Sequence, residues 1–297
     1  MSSIGVYAVL VTPMNSNGTV DHAGLTGNVE FLATSECGAL VSLGSEGEFY
    51  ALTDTERRAV VETTVAALRG RKPLVVGVAH PSTREAVALS RHAEAVGADA
   101  TMATPPYYVK TDEVRLYDYF RTLAEATRIP LFVYNSPGRV GVNLSPAFLA
   151  RAMRELHLGG VKQASGEITE LAELLHADLG GRRVVVGGAE TSIWPALAIG
   201  AEANTATAAS ALPEVFAALF EFARRGDLAA GADLYRRLGR LRTAYRLAGG
   251  QAAVVKHLCE RRGLAGGGVR HPGRTAPEAA LRLADAAYDD LNEYRTR

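Results

Sequence analysis

Short apolar runs alternate with longer amphipathic ones along almost the whole chain. The apolar runs fall at residues 6–11, 39–43, 74–79, 100–103, 131–134, 160–162, 184–187 and 203–207. Most are continuous rather than strictly alternating, which is the pattern of strands buried on both faces in a parallel sheet. The segments between them carry helix start signals. Thr53 and Glu56 form a capping box opening a helix to Leu68, and Ser82 with Glu85 predicts another, running to Val96. Ser145-Pro146 supplies an N-cap followed by proline at the first helical position. Gly70, Gly97 and Gly180 stand where helices should stop.

Eight strand–helix units in unbroken rhythm predict an α/β fold, a (βα)8 TIM barrel over residues 1–226. More helix follows than a barrel needs. Beyond the closing helix at 214–225, the pattern predicts helices at 228–247, 251–262 and 277–295, a C-terminal helical bundle over residues 227–297. A doubly wound open sheet is the competing architecture. It ranks lower because no Gly-x-Gly-x-x-Gly follows the first strand.

Composition narrows the partners. The chain has 297 residues, 47% hydrophobic and 22% charged, and its 32 basic and 32 acidic side chains cancel. No basic stripe argues for nucleic acid. Cys37 and Cys259 form no metal or redox spacing, the histidines are scattered, and no metal site is expected. The first apolar run ends at Thr12-Pro13, has no basic leader and is too short to span a bilayer. The expectation is a cytoplasmic protein acting on small molecules.

The unusual residues fall at the C-terminal ends of the strands, where active sites form in such barrels. Lys162 follows the apolar approach 156–161 and precedes a Ser165-Gly166 turn. A lysine in such a setting is driven toward the free amine, a nucleophile for carbonyls. Tyr134 ends the preceding strand and could move protons at the same carbon. Ser45 could pass that proton on. Gly44 and Gly47 could bring backbone N–H groups close to a carboxylate, and Arg139 offers a planar fork for another. Each residue also has a plainer reading. Lys162 could end a strand and reach water, Tyr134 could be a core tyrosine, Arg139 could be a solvated loop residue, and Tyr107-Tyr108 could be an aromatic plug or an interface.

Together these strings resemble the dihydrodipicolinate synthase / N-acetylneuraminate lyase family of pyruvate-dependent class I lyases. The matching stretches are Gly44-Ser45-Glu46-Gly47-Glu48, Pro106-Tyr107-Tyr108, Tyr134-Asn135-Ser136-Pro137 with Arg139 and Gly141, Gly160-Val161-Lys162 with Ser165-Gly166, and Val255-Lys256 with Val269-Arg270-His271-Pro272. They cover essentially the whole chain. The resemblance implies an imine between Lys162 and pyruvate or another 2-oxo acid, Tyr134 as proton shuttle, and Ser45 and Tyr108 completing a relay. Tyr108 would come from a neighbouring subunit of a homodimer or homotetramer. It further implies that Arg139 binds the carboxylate of an incoming aldehyde, that Gly47, Gly188 and Thr205 line the pyruvate site, and that no cofactor is needed.

One position departs from the pattern. Glu46 stands where a hydroxyl usually meets the pyruvate carboxylate, and two facing carboxylates would cost binding unless Glu46 turns away or is protonated. The acceptor expected first is L-aspartate semialdehyde, as in a 4-hydroxy-tetrahydrodipicolinate synthase. Glu46 and the bulky Phe49-Tyr50 keep a second expectation open. This is an aldolase or dehydratase acting on a 2-keto-3-deoxy sugar acid or a 4-hydroxy-2-oxoglutarate type of substrate. A non-catalytic binding or regulatory paralogue is the alternative from another class, and retention of Lys162, Tyr134 and Ser45 argues against it.

Overall fold

The computed structural model describes residues 5–181, 183–187 and 191–295. Eight parallel strands close into a barrel in sequence order. They are β1 (Gly5–Val9), β2 (Ala39–Ser42), β3 (Leu74–Gly77), β4 (Ala100–Ala103), β5 (Leu131–Asn135), β6 (Leu158–Gln163), β7 (Arg183–Val186) and β8 (Ala203–Ala206). β1 pairs with β8, which leaves no sheet edge. Several strands stop one or two residues before the apolar run does, although Leu10 and Val78 beyond the strand ends still donate to Val41 O and Met102 O of the neighbouring strands. β6 instead starts earlier than its apolar pattern. A Cβ on Gly159 would lie 2.6 Å from the Phe132 ring, so the glycine there makes room for that aromatic.

Small and large residues share the barrel interior. Ala39, Ala100 and Ala203 leave room for Tyr7 and Phe132, which meet edge-on with centroids 6.5 Å apart. This plug floors the barrel below the rim. The other faces of the strands pack on the surrounding helices. The Thr53 capping box is present: Glu56 N–H donates to the Thr53 hydroxyl, and Thr53 N–H to the Glu56 carboxylate at 2.9 Å. Ser145 also caps as expected, accepting from Phe148 N–H at 3.1 Å.

Two local expectations are corrected. Ser82 makes no side-chain cap, and its N–H donates instead to the His80 ring at 3.0 Å. The helix expected at 228–247 is two helices, Leu228–Arg237 and Gly239–Ala248, with Leu238 between them. Helices Ala252–Arg261, Glu278–Asp290 and Asn292–Arg295 complete the C-terminal part. Trp194 packs against Gly231, where a Cβ would fall 1.9 Å from the indole, so helix Leu228–Arg237 lies directly on the barrel's own helix Ile193–Ala198.

A buried ion pair ties this C-terminal part to the rim. Glu48 and Lys256 are both essentially inaccessible, and Lys256 Nζ lies 2.5 Å from the carboxylate. Lys256 also donates to Gly268 O at 2.7 Å, and Glu48 accepts from Arg270 N–H at 2.7 Å. Burial pushes the Lys256 ammonium below its ordinary range, against the pull of Glu48. Removing one partner strands the other charge in the interior. Lys256→Met is therefore expected to destabilise the fold by about 3–5 kcal/mol, measured by chemical denaturation, with Glu48→Gln/Lys256→Met recovering part of the loss.

Candidate active site

The rim turn after β2 is held in an unusual backbone shape. Leu43 (φ 55°) and Glu48 (φ 54°) both lie in the left-handed region, which is costly for residues with a Cβ. Gly77 on β3 accommodates the turn, since a Cβ there would sit 2.1 Å from Leu43 O. Thr12 at the end of the first apolar run donates to Gly47 O at 2.7 Å. The amides of Gly47 and Glu48 donate to Gly44 O and Ser45 O, each at 3.1 Å. The Gly47 N–H is therefore committed to the turn itself. The result is a rigid loop presenting Ser45 and Glu46, both buried, to the barrel mouth.

β5 and β6 place the reactive pair. Tyr134 and Lys162 are direct register partners on these neighbouring strands. Both are buried, Lys162 at 4% exposure, and Lys162 Nζ lies 4.1 Å from the centre of the Tyr134 ring. Among the described residues, no carboxylate lies within ion-pair distance of Lys162. The other buried lysine, Lys256, is paired with Glu48. Asn135 fixes the strand ends behind the pair. Its amide donates to Gln163 Oε1 at 2.9 Å and to Leu144 O at 3.1 Å, and it accepts from Leu144 N–H. Gln163 in turn donates to Ser165 Oγ at 3.0 Å.

Burial alone would raise the Tyr134 phenol. The Lys162 and Arg139 cations, with a Ser136 hydrogen bond, outweigh that and the opposing Glu46 charge, and hold it below the ordinary tyrosine range. A phenol so placed gives up its proton more readily than a free tyrosine.

β7 leaves room for the lysine. A Cβ on Gly187 would fall 2.4 Å from Lys162 Cε and 2.8 Å from Thr205 Oγ1. Gly187→Ala is expected to push Lys162 aside and slow its reaction with a 2-oxo acid by roughly 10²-fold, read from the rate of borohydride-trapped adduct.

Most site residues expected from sequence converge, but Gly47 and Tyr108 do not line the cavity. Lys162, Tyr134, Glu46, Arg139 and Thr205 line one cavity of about 270 Å³. Ser45 and Glu46 border an adjoining cleft of about 250 Å³. Tyr108 does not join them. Its side chain is 97% exposed and its backbone sits at φ 78°. Gly188 lies outside the described residues.

The Glu46 carboxylate lines the cavity but meets a cation there. Arg139 Nη2 donates to its Oε1 at 2.9 Å, and Glu46 is the main reason the guanidinium is held above its ordinary range. The same Nη2 reaches Gln251 Oε1 at 3.4 Å, as does the Thr207 hydroxyl. The Arg139 fork, expected to face a substrate carboxylate, thus already holds an internal one. Gln251, Thr207, Ser136 and Ser165 are cavity residues that sequence reasoning missed. Gln251 read only as the start of a helix. The Ser165-Gly166 turn was visible, but not its place in the cavity wall.

The chain has counterparts among known proteins. A sequence model of the dihydrodipicolinate synthetase family matches residues 2–286. A 4-hydroxy-tetrahydrodipicolinate synthase from Neisseria meningitidis is 35% identical over 79% of this chain and 80% of its own. One from Hyphomonas neptunium is 34% identical over 95% of this chain and 96% of its own. A dihydrodipicolinate synthase from Acinetobacter baumannii, solved in complex with pyruvate, superposes with a TM-score of 0.91 at 28% identity, covering 98% of this chain and 99% of that one.

Proposed function

The chain belongs to the dihydrodipicolinate synthetase family of class I lyases, and on that premise we propose that it joins pyruvate to an aldehyde through a Schiff base on Lys162. The observation that carries this reading is the buried Lys162 amine, with no carboxylate beside it among the described residues, lying over the Tyr134 ring at the barrel mouth.

The Lys162 amine adds to C2 of pyruvate and water leaves, giving a protonated imine. Loss of a C3 proton makes the enamine, whose C3 attacks the aldehyde carbon while the aldehyde oxygen takes up a proton. Water then returns to C2 and frees the amine. Tyr134 carries these protons, with Ser45 as its relay. Thr205 borders the cavity beside Lys162, at the pyruvate end. The protonated imine is itself the electron sink, so these steps need no metal or organic cofactor. Tyr108 would complete the relay from a second copy of the chain, in a dimer or dimer of dimers. Its outward side chain, and the exposed Val109 and Val114 near it, support that role. No described helix is long and apolar enough to cross a membrane.

The acceptor implied by the likeness to the synthases is L-aspartate semialdehyde. A second reading, an aldolase or dehydratase for a hydroxylated 2-oxo acid, is favoured by one observation. The guanidinium that would receive the semialdehyde's carboxylate is already bound by Glu46.

Enamine formation can be tested without knowing the acceptor. Pyruvate incubated with the protein in D2O should exchange its methyl protons, followed by NMR. No exchange above the buffer rate would exclude the lyase and leave a binding protein.

A further inference from the structure

The geometry points to Glu46 as a built-in counter-ion that reserves the cavity for substrates whose chain beyond the 2-oxo acid group is uncharged and hydroxylated. This inference rests on the Schiff-base reading and names its substrate class.

The charged side chains lining the cavity, among the described residues, are Lys162, Arg139 and Glu46. Glu46 is 5% exposed and sits 2.9 Å from the Arg139 guanidinium, so those two charges neutralise each other in place. Once Lys162 becomes a protonated imine, its single positive charge is matched by the carboxylate of the 2-oxo acid bound to it. A second carboxylate further along the chain would find no unmatched cation there. It would have to share the half-exposed Arg139 guanidinium with Glu46, placing two carboxylates on one cation, which costs binding.

The rest of the polar lining is uncharged. Ser136, Ser165, Thr191, Thr205, Thr207 and Gln251 offer hydroxyl and amide groups. Such groups pair with hydroxyls along a carbon chain without a charge to balance. The cleft toward the mouth adds Ser45, Thr104, Tyr50 and Tyr107, with Arg139 again its one charged group among the described residues. Among the described residues, the cavity therefore offers polar groups along the chain but an unmatched cation only at the end bound to Lys162, the next one, Arg274, standing in the adjoining cleft.

Reductive trapping reads this selectivity without an acceptor, because the condensation product is itself a longer 2-oxo acid on Lys162. The protein is offered equal amounts of 2-oxohexanoate and 2-oxoadipate, which match in chain length and differ by a terminal carboxylate. Borohydride is added and the two adducts are weighed by mass spectrometry. The wild type should favour the neutral chain by about tenfold or more. Glu46→Gln frees the guanidinium and should move the ratio toward 2-oxoadipate by at least about tenfold, a shift of about 1.4 kcal/mol. Glu46→Gln/Arg139→Ala should lose that gain, which separates Arg139 from Arg274 in the adjoining cleft and from Arg242 and Arg246 in the outer one.

Wild-type protein that traps 2-oxoadipate as well as 2-oxohexanoate would overturn the inference. So would an unchanged ratio in Glu46→Gln, or failure of both long acids where pyruvate is trapped. Failure of pyruvate itself to be trapped by the wild type would instead remove the Schiff-base reading beneath it.

Discussion

Lys162→Ala should form no borohydride-stable adduct with pyruvate and should lose pyruvate proton exchange by at least about three orders of magnitude. The size of this effect follows from the amine's surroundings. Lys72 donates to Ser35 O and Cys37 O at 2.7 and 2.6 Å, and Lys256 is paired with Glu48. Both are held as hydrogen-bonding ammonium groups away from the cavity. Lys110 lies in an exposed segment. No other lysine can substitute at the barrel mouth, so the covalent route closes entirely. The truncation should cost little stability, because it removes a buried amine without stranding an ion-pair partner among the described residues. A near-wild-type melting temperature together with lost exchange is the expected combination. Residual exchange near the wild-type rate would show that a different group carries the chemistry.

Tyr134→Phe should slow pyruvate proton exchange by about 10²–10⁴-fold while leaving adduct formation detectable, since it removes a proton carrier and not the nucleophile. The pH dependence gives a second readout. The phenol is held below the ordinary tyrosine range chiefly because Lys162 and Arg139 outweigh the burial that would raise it. As pH rises through this lowered value, the phenol loses its proton and can no longer donate. Activity should therefore fall on an alkaline limb that begins below the ordinary tyrosine pKa of about 10, and this limb should be absent in the residual activity of Tyr134→Phe. An unchanged alkaline limb in the variant would remove Tyr134 from the proton path.

The contrast between what was legible and what was not is physical. Barrel strands are buried on both faces, so continuous apolar runs marked most of the eight, and Lys162 and Tyr134 stood out because they end such runs. Strand limits were less legible because residues such as Val11 are apolar and buried yet lie beyond the strand end. The break at Leu238 was hidden because the helical spacing of apolar residues continues across it. At Ser82 the backbone N–H that a capping box would give to Glu85 goes to the His80 ring.

The Glu46–Arg139 pair joins residues 93 positions apart, and nothing local in either segment announces the other. Glu46 alone therefore read as an obstacle to a substrate carboxylate, whereas in the fold it is the partner of the arginine expected to bind one. Gln251 was hidden in the same way. It belongs to the C-terminal helices by sequence and to the cavity wall by position. The buried Glu48–Lys256 pair explains how that distant segment stays in register with the rim.

The most direct test of the central claim is peptide mapping of the wild-type protein after incubation with pyruvate and borohydride. The added mass should reside on the peptide containing Lys162, with Lys72, Lys110 and Lys256 unmodified. Label on any of those three instead, or no label at all, would contradict the account.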